Sequence, residues 1–518
     1  MSRFRSRWLV PVVLVGIVVV VVVISWFYFF GKVSSAAKLV PADNMIYIQL
    51  DPQAGDIIPS EDGGYLETLG SVFWSSFSFS NPWFSYEDDV KPWLGDEVVL
   101  TKASSDQLDP FVLLAEVGDK QKALETVEKM EEKMAGGEGE VNTVRYKGVD
   151  VYQVEDPVMI SGCYYKGYVI MSTKIENVKN IIDVGNGDAP AIDGVKQFKK
   201  LSDNLSDGEN RSLLVALRLR EALEATTSTL GVSSQLFVKR LDFPEEMMLG
   251  LGIWPETEGL EIKTYLGTAR LESLKNIEES HLSGTMPQDA IIYYEGEDFA
   301  SVVSEFFGNV DVNEKALSWA SGSYAASLIP QSGDKKSAIA LAIEVEDEEL
   351  AKAKIREAEP VLIGSLASLG ITGDLEFKDG EASGVATRYV SFSEGVAMDL
   401  NYAVSGDKLL FATSKSALET LLDVDASNIA SLADNDDFAE TLSKTKASRQ
   451  IGFLFLQTSG LTDLLSPTVV GDIATEEEIP QGFIAQALAP FSSLGISLHN
   501  TGKGDFLTDM YLKFKSSE

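Results

Sequence analysis

The sequence predicts an α+β protein, with an N-terminal transmembrane helix followed by two homologous domains of mainly antiparallel sheet with packed helices. Three observations predict it. Residues 8–30 form one uncharged apolar run. The rest of the chain alternates short apolar/polar runs with amphipathic helical stretches. Its patterns also recur once, about 240 residues apart.

The run from Trp8 to Phe30 carries no charge. As a helix rising ~1.5 Å per residue it reaches ~34 Å, enough for a hydrocarbon core of ~30 Å. Its valines form helices poorly in water, because β-branched side chains lose rotamer freedom. In lipid an unpaired amide costs several kcal/mol, and a helix pairs them all. Pro11 falls in the first turn, where its missing N–H breaks no bond. Trp8, Trp26 and Tyr28 match interfacial aromatic belts.

Arg3, Arg5 and Arg7 precede the run, so the positive-inside rule places residues 1–7 in the cytoplasm and the bulk of the chain outside. Lys32 and Lys38 weaken this asymmetry without reversing it. Ser34 and Ala36 are small enough for a signal-peptide cleavage site, but a signal's apolar region is ordinarily only ~7–15 residues long. The expectation is a retained, single-pass anchor in the cell membrane.

Hydrophobic residues make up 45% and charged residues 24% of the 518, a globular composition with room for two or three domains. The net charge is −36. Of 43 basic residues three precede the run, leaving 40 against 79 acidic ones. Such a field repels nucleic acid and anionic headgroups, so no nucleic-acid partner is expected. It fits plain solubility first, and a cationic partner or a saline habitat second. Cys163 is the single cysteine, so no intramolecular disulfide forms and the core must stabilise itself. It lies in a strand-like stretch and reads as a buried apolar thiol.

The recurrence is built from matched landmarks. Pro41 and Pro287 each precede a strand, at an offset of 246. Trp93 and Trp319 match at 226, and Glu116-Val117 and Glu344-Val345 at 228. Residues 169–174 resemble 409–414, and Phe198 and Phe438 begin similar helices at 240. Gly252-Ile253 and Gly495-Ile496 sit in late strands. Solenoid units run ~20–50 residues, so this repeat implies two full domains, at residues 39–280 and 285–518. Between Pro41 and Trp93 the first copy is longer, with the excess at residues 52–82, which reads as a surface loop.

Each copy reads as strand, helix, two strands, long helix, several strands, two short helices, strand, helix and final strands. Residues 119–135 carry Leu124, Val127, Met130 and Met134 at helical spacing, and residues 346–366 repeat this with Leu350, Ala353 and Ile355. Strands such as residues 149–154 alternate apolar and polar, as antiparallel sheets with one buried face do. Helices follow groups of strands, which favours α+β over a doubly wound sheet.

Val40-Pro41-Ala42-Asp43 leads into Tyr47-Ile48-Gln49-Leu50-Asp51, and later comes Asp89-Val90-Lys91-Pro92-Trp93-Leu94-Gly95-Asp96-Glu97-Val98. These motifs resemble the bacterial family called domain of unknown function 3352, over most of the chain after the anchor. The second copy keeps only Trp319 and Gly322 of the Pro-Trp-Leu-Gly element. The resemblance implies an N-terminal membrane segment and this architecture, and it brings no activity, cofactor or catalytic residue.

The residues themselves offer little chemistry. His281 and His499 are the only histidines, too few and too isolated for a zinc site. Gly495-Ile496-Ser497-Leu498-His499 lacks the second glycine of a nucleophile elbow. No phosphate-cradling glycine pattern follows a strand. Asp423, Asp425 and Asp434 echo the spacing of a calcium loop, but Asn428 replaces the glycine and Asp434 the long glutamate, so a turn is the simpler reading. The acids of residues 344–349 start a helix, where they favour its dipole. Phe73, Trp74, Phe77, Phe79, Trp83, Phe84 and Tyr86 form an aromatic cluster, read either as core or as an exposed binding or membrane-contact surface.

No catalytic, cofactor-binding or metal residue is therefore assigned, and no cofactor is expected. The function expected is a non-enzymatic binding or scaffolding role among proteins of the bacterial envelope. The alternative is a carrier of a lipid or other apolar ligand in a sheet-lined cavity. Hydrolysis is a third class, without an arrangement to support it.

Overall fold

The computed structural model describes residues 36–52, 86–103, 111–135, 141–154, 160–205, 211–222, 247–267, 277, 282–299, 318–320, 322–331, 337–368, 375–392, 399–445, 450–464, 490–500 and 505–515. The apolar run at residues 8–30 lies outside them. Among the described residues no helix is long and apolar enough to cross a membrane. Contacts divide the chain into two compact units, residues 21–270 with 504–507, and residues 271–503 with 508–518.

The first unit is one antiparallel sheet with helices. Its strands are β1 (Ile46–Leu50), β2 (Leu94–Lys102), β3 (Val112–Val117), β4 (Val141–Tyr146), β5 (Val149–Val154), β6 (Ile160–Tyr165), β7 (Tyr168–Ser172), β8 (Leu213–Arg218), β9 (Met248–Glu256) and β10 (Gly259–Leu266). Their order across the sheet is 10-9-8-1-2-3-7-6-5-4. Helix α1 (Lys120–Ala135) follows β3, while α2 (Ile175–Asn186) and α3 (Lys196–Asn204) follow β7. Val178, Ile181 and Ile182 recur at helical spacing on α2 and are all buried. They join Tyr47, Val99, Leu114, Ile170 and Leu214 of the sheet in one core.

The second unit contains β11 (Ile292–Gly296), β12 (Tyr324–Ile329), β13 (Ala338–Glu344), β14 (Lys378–Ala382), β15 (Val385–Ser391), β16 (Asp399–Ser405), β17 (Lys408–Ala412), β18 (Gln450–Gln457), β19 (Phe491–Asn500) and β20 (Phe506–Phe514). Their order is 20-19-18-11-12-13-17-16-15-14, and the pairings are antiparallel. Adding ten to each strand of the first unit gives this order. Helices α4 (Glu348–Ser368), α5 (Lys415–Asp425), α6 (Asp436–Thr445) and α7 (Thr458–Leu464) accompany it. Tyr293 meets Phe438 edge to face at 5.5 Å, and in the first unit Tyr47 meets Phe198 likewise at 5.1 Å.

Two sequence readings need correction. Leu124 and Leu350 do not lead the buried helix faces; both are about half exposed. The positions one residue away, Ala123 and Ala351, are buried beside Trp93 and Trp319 respectively. A small side chain there gives each indole room against its helix. The late-strand glycines are also matched differently. Gly250 and Gly495, rather than Gly252 and Gly495, share a role. A Cβ on Gly250 would lie 2.5 Å from Leu201 Cγ of α3, and one on Gly495 would lie 2.1 Å from Thr441 Cγ2 of α6. The bare backbone lets the short helix seat on the sheet.

Gly250→Val should therefore lower the stability of the first unit by about 2–3 kcal/mol through overpacking. Pairing it with Leu201→Ala should recover part of the loss in urea unfolding. Strict additivity of the two losses would show that the helix does not rest there.

On α4 the Glu359 carboxylate receives Arg388 through two bonds of 2.8 and 2.7 Å, and Tyr402 Oη donates to it at 2.5 Å. Partial burial raises its pKa, but Arg388 and Tyr402 outweigh burial and hold it below 4.5. A carboxylate with a depressed pKa stabilises the fold above its unfolded pKa, and that stability drains as pH falls through the folded value. Glu359→Gln should thus flatten the loss of stability below about pH 4.5 while costing ~1–2 kcal/mol at pH 7. Unfolding midpoints measured across that range test it, and an unchanged acid limb would contradict it.

Candidate functional site

A buried charged constellation lies on the helix-covered face of the first sheet. Antiparallel register sets Gln49 opposite Val99 and Tyr47 opposite Thr101, so these side chains share a face. Glu97 lies in an irregular stretch of β2, where the register against β3 shifts between Leu94 and Val98. The shift begins at Gly95, where a Cβ would come within 2.9 Å of Glu116 Cγ. Glu116 Oε2 in turn accepts a bond from Asp96 N at 3.1 Å. Trp93 locks the approach by donating its indole N–H to Asp89 O at 2.6 Å. The Pro-Trp-Leu-Gly-Asp-Glu motif is thus the device that turns Glu97 inward.

Glu97 is 6% exposed. Its Oε2 accepts Tyr168 Oη at 2.5 Å and Ala36 N at 3.3 Å. Arg211, 2% exposed, donates to Leu205 O at 2.7 Å and to the buried Gln49 Oε1 at 3.3 Å. Burial pushes the Arg211 guanidinium down to about 10, with Tyr47 and Glu97 nearby opposing that shift. It stays charged at neutral pH. The cluster therefore cross-links β1, β2, β7, the start of β8 and the segment before β1.

That segment is itself core. Ala36, Ala37, Leu39 and Val40 are buried. Ala42 N donates to Pro190 O at 2.9 Å, and Ile192 N donates to Val40 O at 2.8 Å. In the second unit Gln288 N reaches Ala430 O and Leu432 N reaches Met286 O in the same way. There the charges differ. Register places Gln450 where the first unit has Arg211, and the buried Glu295, bonded by Tyr293 Oη at 2.5 Å, where it has Gln49.

The residues singled out in the sequence are dispersed. His281 and residues 53–85, which hold all of the aromatic cluster except Tyr86, lie outside the described residues. Gly495 to His499 run along the middle of β19, and a nucleophile elbow requires a strand-to-helix turn. His499 Nε2 lies 3.0 Å from Asp509 Oδ2, and Ser497 is fully buried. In the calcium-like stretch, Asp425 pairs with Lys408 at 3.0 Å and Ser405 at 3.0 Å. Asp434 accepts from Ser431 N at 2.9 Å as a helix cap. Its carboxylates are thereby engaged by the fold, and among the described residues no group of three or more His, Cys, Asp or Glu is placed to hold a metal. Cys163 is buried, and burial pushes its thiol up to about 12.

The sequence motifs contain Gln49 and Glu97 without revealing their role, and Arg211 lies outside them. A polar residue at the inward position two after Tyr47 was the available signal for Gln49. Arg211 sits in a loop and gives none.

The class defined is an antiparallel α+β protein in which a buried glutamate bonds the backbone of Ala36 before the first strand. The chain belongs to the family described as protein of unknown function (DUF3352), whose family model matches residues 9–308. No curated protein gives a significant match. A solved structure titled "Structure of crystal form IV of TP0453" is similar at 10% identity, over 45% of this chain and 80% of that one, with a TM-score of 0.28. A likeness that slight carries no argument.

Arg211→Met should destabilise the first unit by roughly 3 kcal/mol, because it leaves Leu205 O and Gln49 short of a donor and Glu97 without its neighbouring cation. Urea unfolding reads the loss. A change below about 0.5 kcal/mol would show the cluster to be dispensable.

Proposed function

We propose that this is a single-pass membrane-anchored protein with an extracytoplasmic body of two homologous α+β domains, acting by binding or scaffolding other envelope proteins without catalysis. One observation carries the anchor: an uncharged run long enough to span a bilayer, preceded by three arginines, leads within five residues into Ala36, which is packed in the core.

Homology of the domains is supported by the shared strand order. It is further supported by matching details, such as the bridges Pro41–Ala191 and Pro287–Ser431. Gly322 likewise stands against Glu344 as Gly95 stands against Glu116. A binding role is supported by where the charges go. Glu97, Arg211, Glu359 and Asp425 serve contacts within the fold.

The test is fractionation of cells expressing the full-length chain. It should resist alkaline extraction, and external protease should digest the body in spheroplasts. Release of the intact chain by alkali, or full protection from protease, would overturn the anchor. Native mass spectrometry of the detergent-extracted chain should then show a reproducible protein partner. A lipid retained after residues 1–31 are removed would instead favour carriage.

A further inference from the structure

Between the end of the apolar run at Phe30 and Ala36, the first of the described residues and a buried one, lie only residues 31–35. Five residues stretch to at most ~17 Å. The headgroup layer on one side of a bilayer takes up ~5–7 Å of that. Ala36 thus has about 10 Å of slack beyond the headgroups, the width of one helix. The slack cannot grow by peeling chain from the fold, because Ala36 is held by Glu97 and followed by the buried Ala37, Leu39 and Val40.

Register fixes what surrounds Ala36. It lies at the end of the sheet where β1 finishes and where β2 and β7 begin. The Leu50↔Val98 and Leu50↔Leu213 pairs mark this end. The turns β4–β5 (Lys147-Gly148), β6–β7 (Lys166-Gly167) and β9–β10 also open there. Val117 N bonds Gly167 O at 2.8 Å, which brings the end of β3 to the same place. Lys38, Lys91, Lys120, Lys147 and Lys166 are exposed at this end. The exposed acids beside them are Asp88, Asp96, Asp150, Asp188 and Glu258; Lys147 is ion-paired with Asp183 and Asp188, and Lys166 Nζ donates to Gly185 O. In a chain where acids outnumber bases 79 to 43, five lysines against five exposed acids leave this end close to neutral, so the net charge of the chain does not hold it off a headgroup surface.

We infer that this end of the first unit, with the Lys147 and Lys166 turns, rests on the lipid headgroups, held there by the five-residue tether. The inference rests on the anchor proposed above. It makes the first unit a membrane-apposed body with no stalk beneath it, so any partner it binds must approach from its sides or its far end.

The test uses the full-length chain in liposomes containing lipids with nitroxide-labelled headgroups. A fluorophore is attached from outside, through an impermeant reagent, to Lys166→Cys or to Glu176→Cys. Glu176 is exposed in the first turn of α2, at the opposite end of the sheet. Native Cys163 is buried and stays unlabelled. The expected result is quenching several-fold stronger at position 166 than at 176, lost when twenty Gly/Ser residues are inserted after residue 33. Equal quenching at both positions in the uninterrupted chain would overturn the seating. Quenching at 166 that survives the insertion would overturn the tether as its cause. Failure of the labelled chain to float with the liposomes would overturn the anchor itself.

Discussion

The structure depends on one buried carboxylate. Glu97 accepts a backbone N–H from Ala36 and a hydroxyl from Tyr168, beneath helices that keep water out. A carboxylate in such a place is costly unless its oxygens are paired and a cation stands near. Arg211 is that cation; Leu205 O and Gln49 Oε1 accept from its two terminal nitrogens, while its Nε has no hydrogen-bond partner in the structure. Remove any member and another polar group is stranded. The consequence is mechanical: residues 36–40 are locked into the core of the first unit.

That locking gives the motif a physical reading. In Pro-Trp-Leu-Gly-Asp-Glu, the tryptophan fixes the approach to β2 and the glycine admits Glu116. The irregular register then turns the final glutamate into the core. The second unit keeps the tryptophan and the glycine at Trp319 and Gly322. It has Ser323 next, whose backbone N–H bonds Glu344 at 3.3 Å as Asp96 bonds Glu116. It retains the turn and dispenses with the charge. The buried Glu97 and Arg211 thus belong to the first unit, while the second buries Glu295 at the position of Gln49.

Much of this was legible in the sequence where a local rule governs. Alternation marked the strands, and helical spacing at residues 119–135 and 346–366 marked α1 and α4. The Trp and Glu-Val landmarks fell at equivalent places in both sheets. What stayed hidden depends on tertiary contact. The order 10-9-8-1-2-3-7-6-5-4 cannot be read from pattern, because each strand's alternation is silent about its neighbours. Helical spacing points to the larger Leu124 rather than Ala123, whereas the neighbouring indole demands a small residue. Gly250 and Gly252 look alike in sequence, and only the seat of α3 tells them apart. Arg211 carried no signal, since a loop arginine is ordinarily exposed.

The central claim is that residues 36–40 belong to the folded core of the first unit. Amide hydrogen exchange on the full-length chain tests it most directly. The N–H of Ala36, bonded to Glu97, and those of Leu39 and Val40, bonded to Ala36 O, should exchange only as fast as the first unit unfolds. Exchange at those amides at the rate of an open chain, while the strands of the same unit stay protected, would contradict the account.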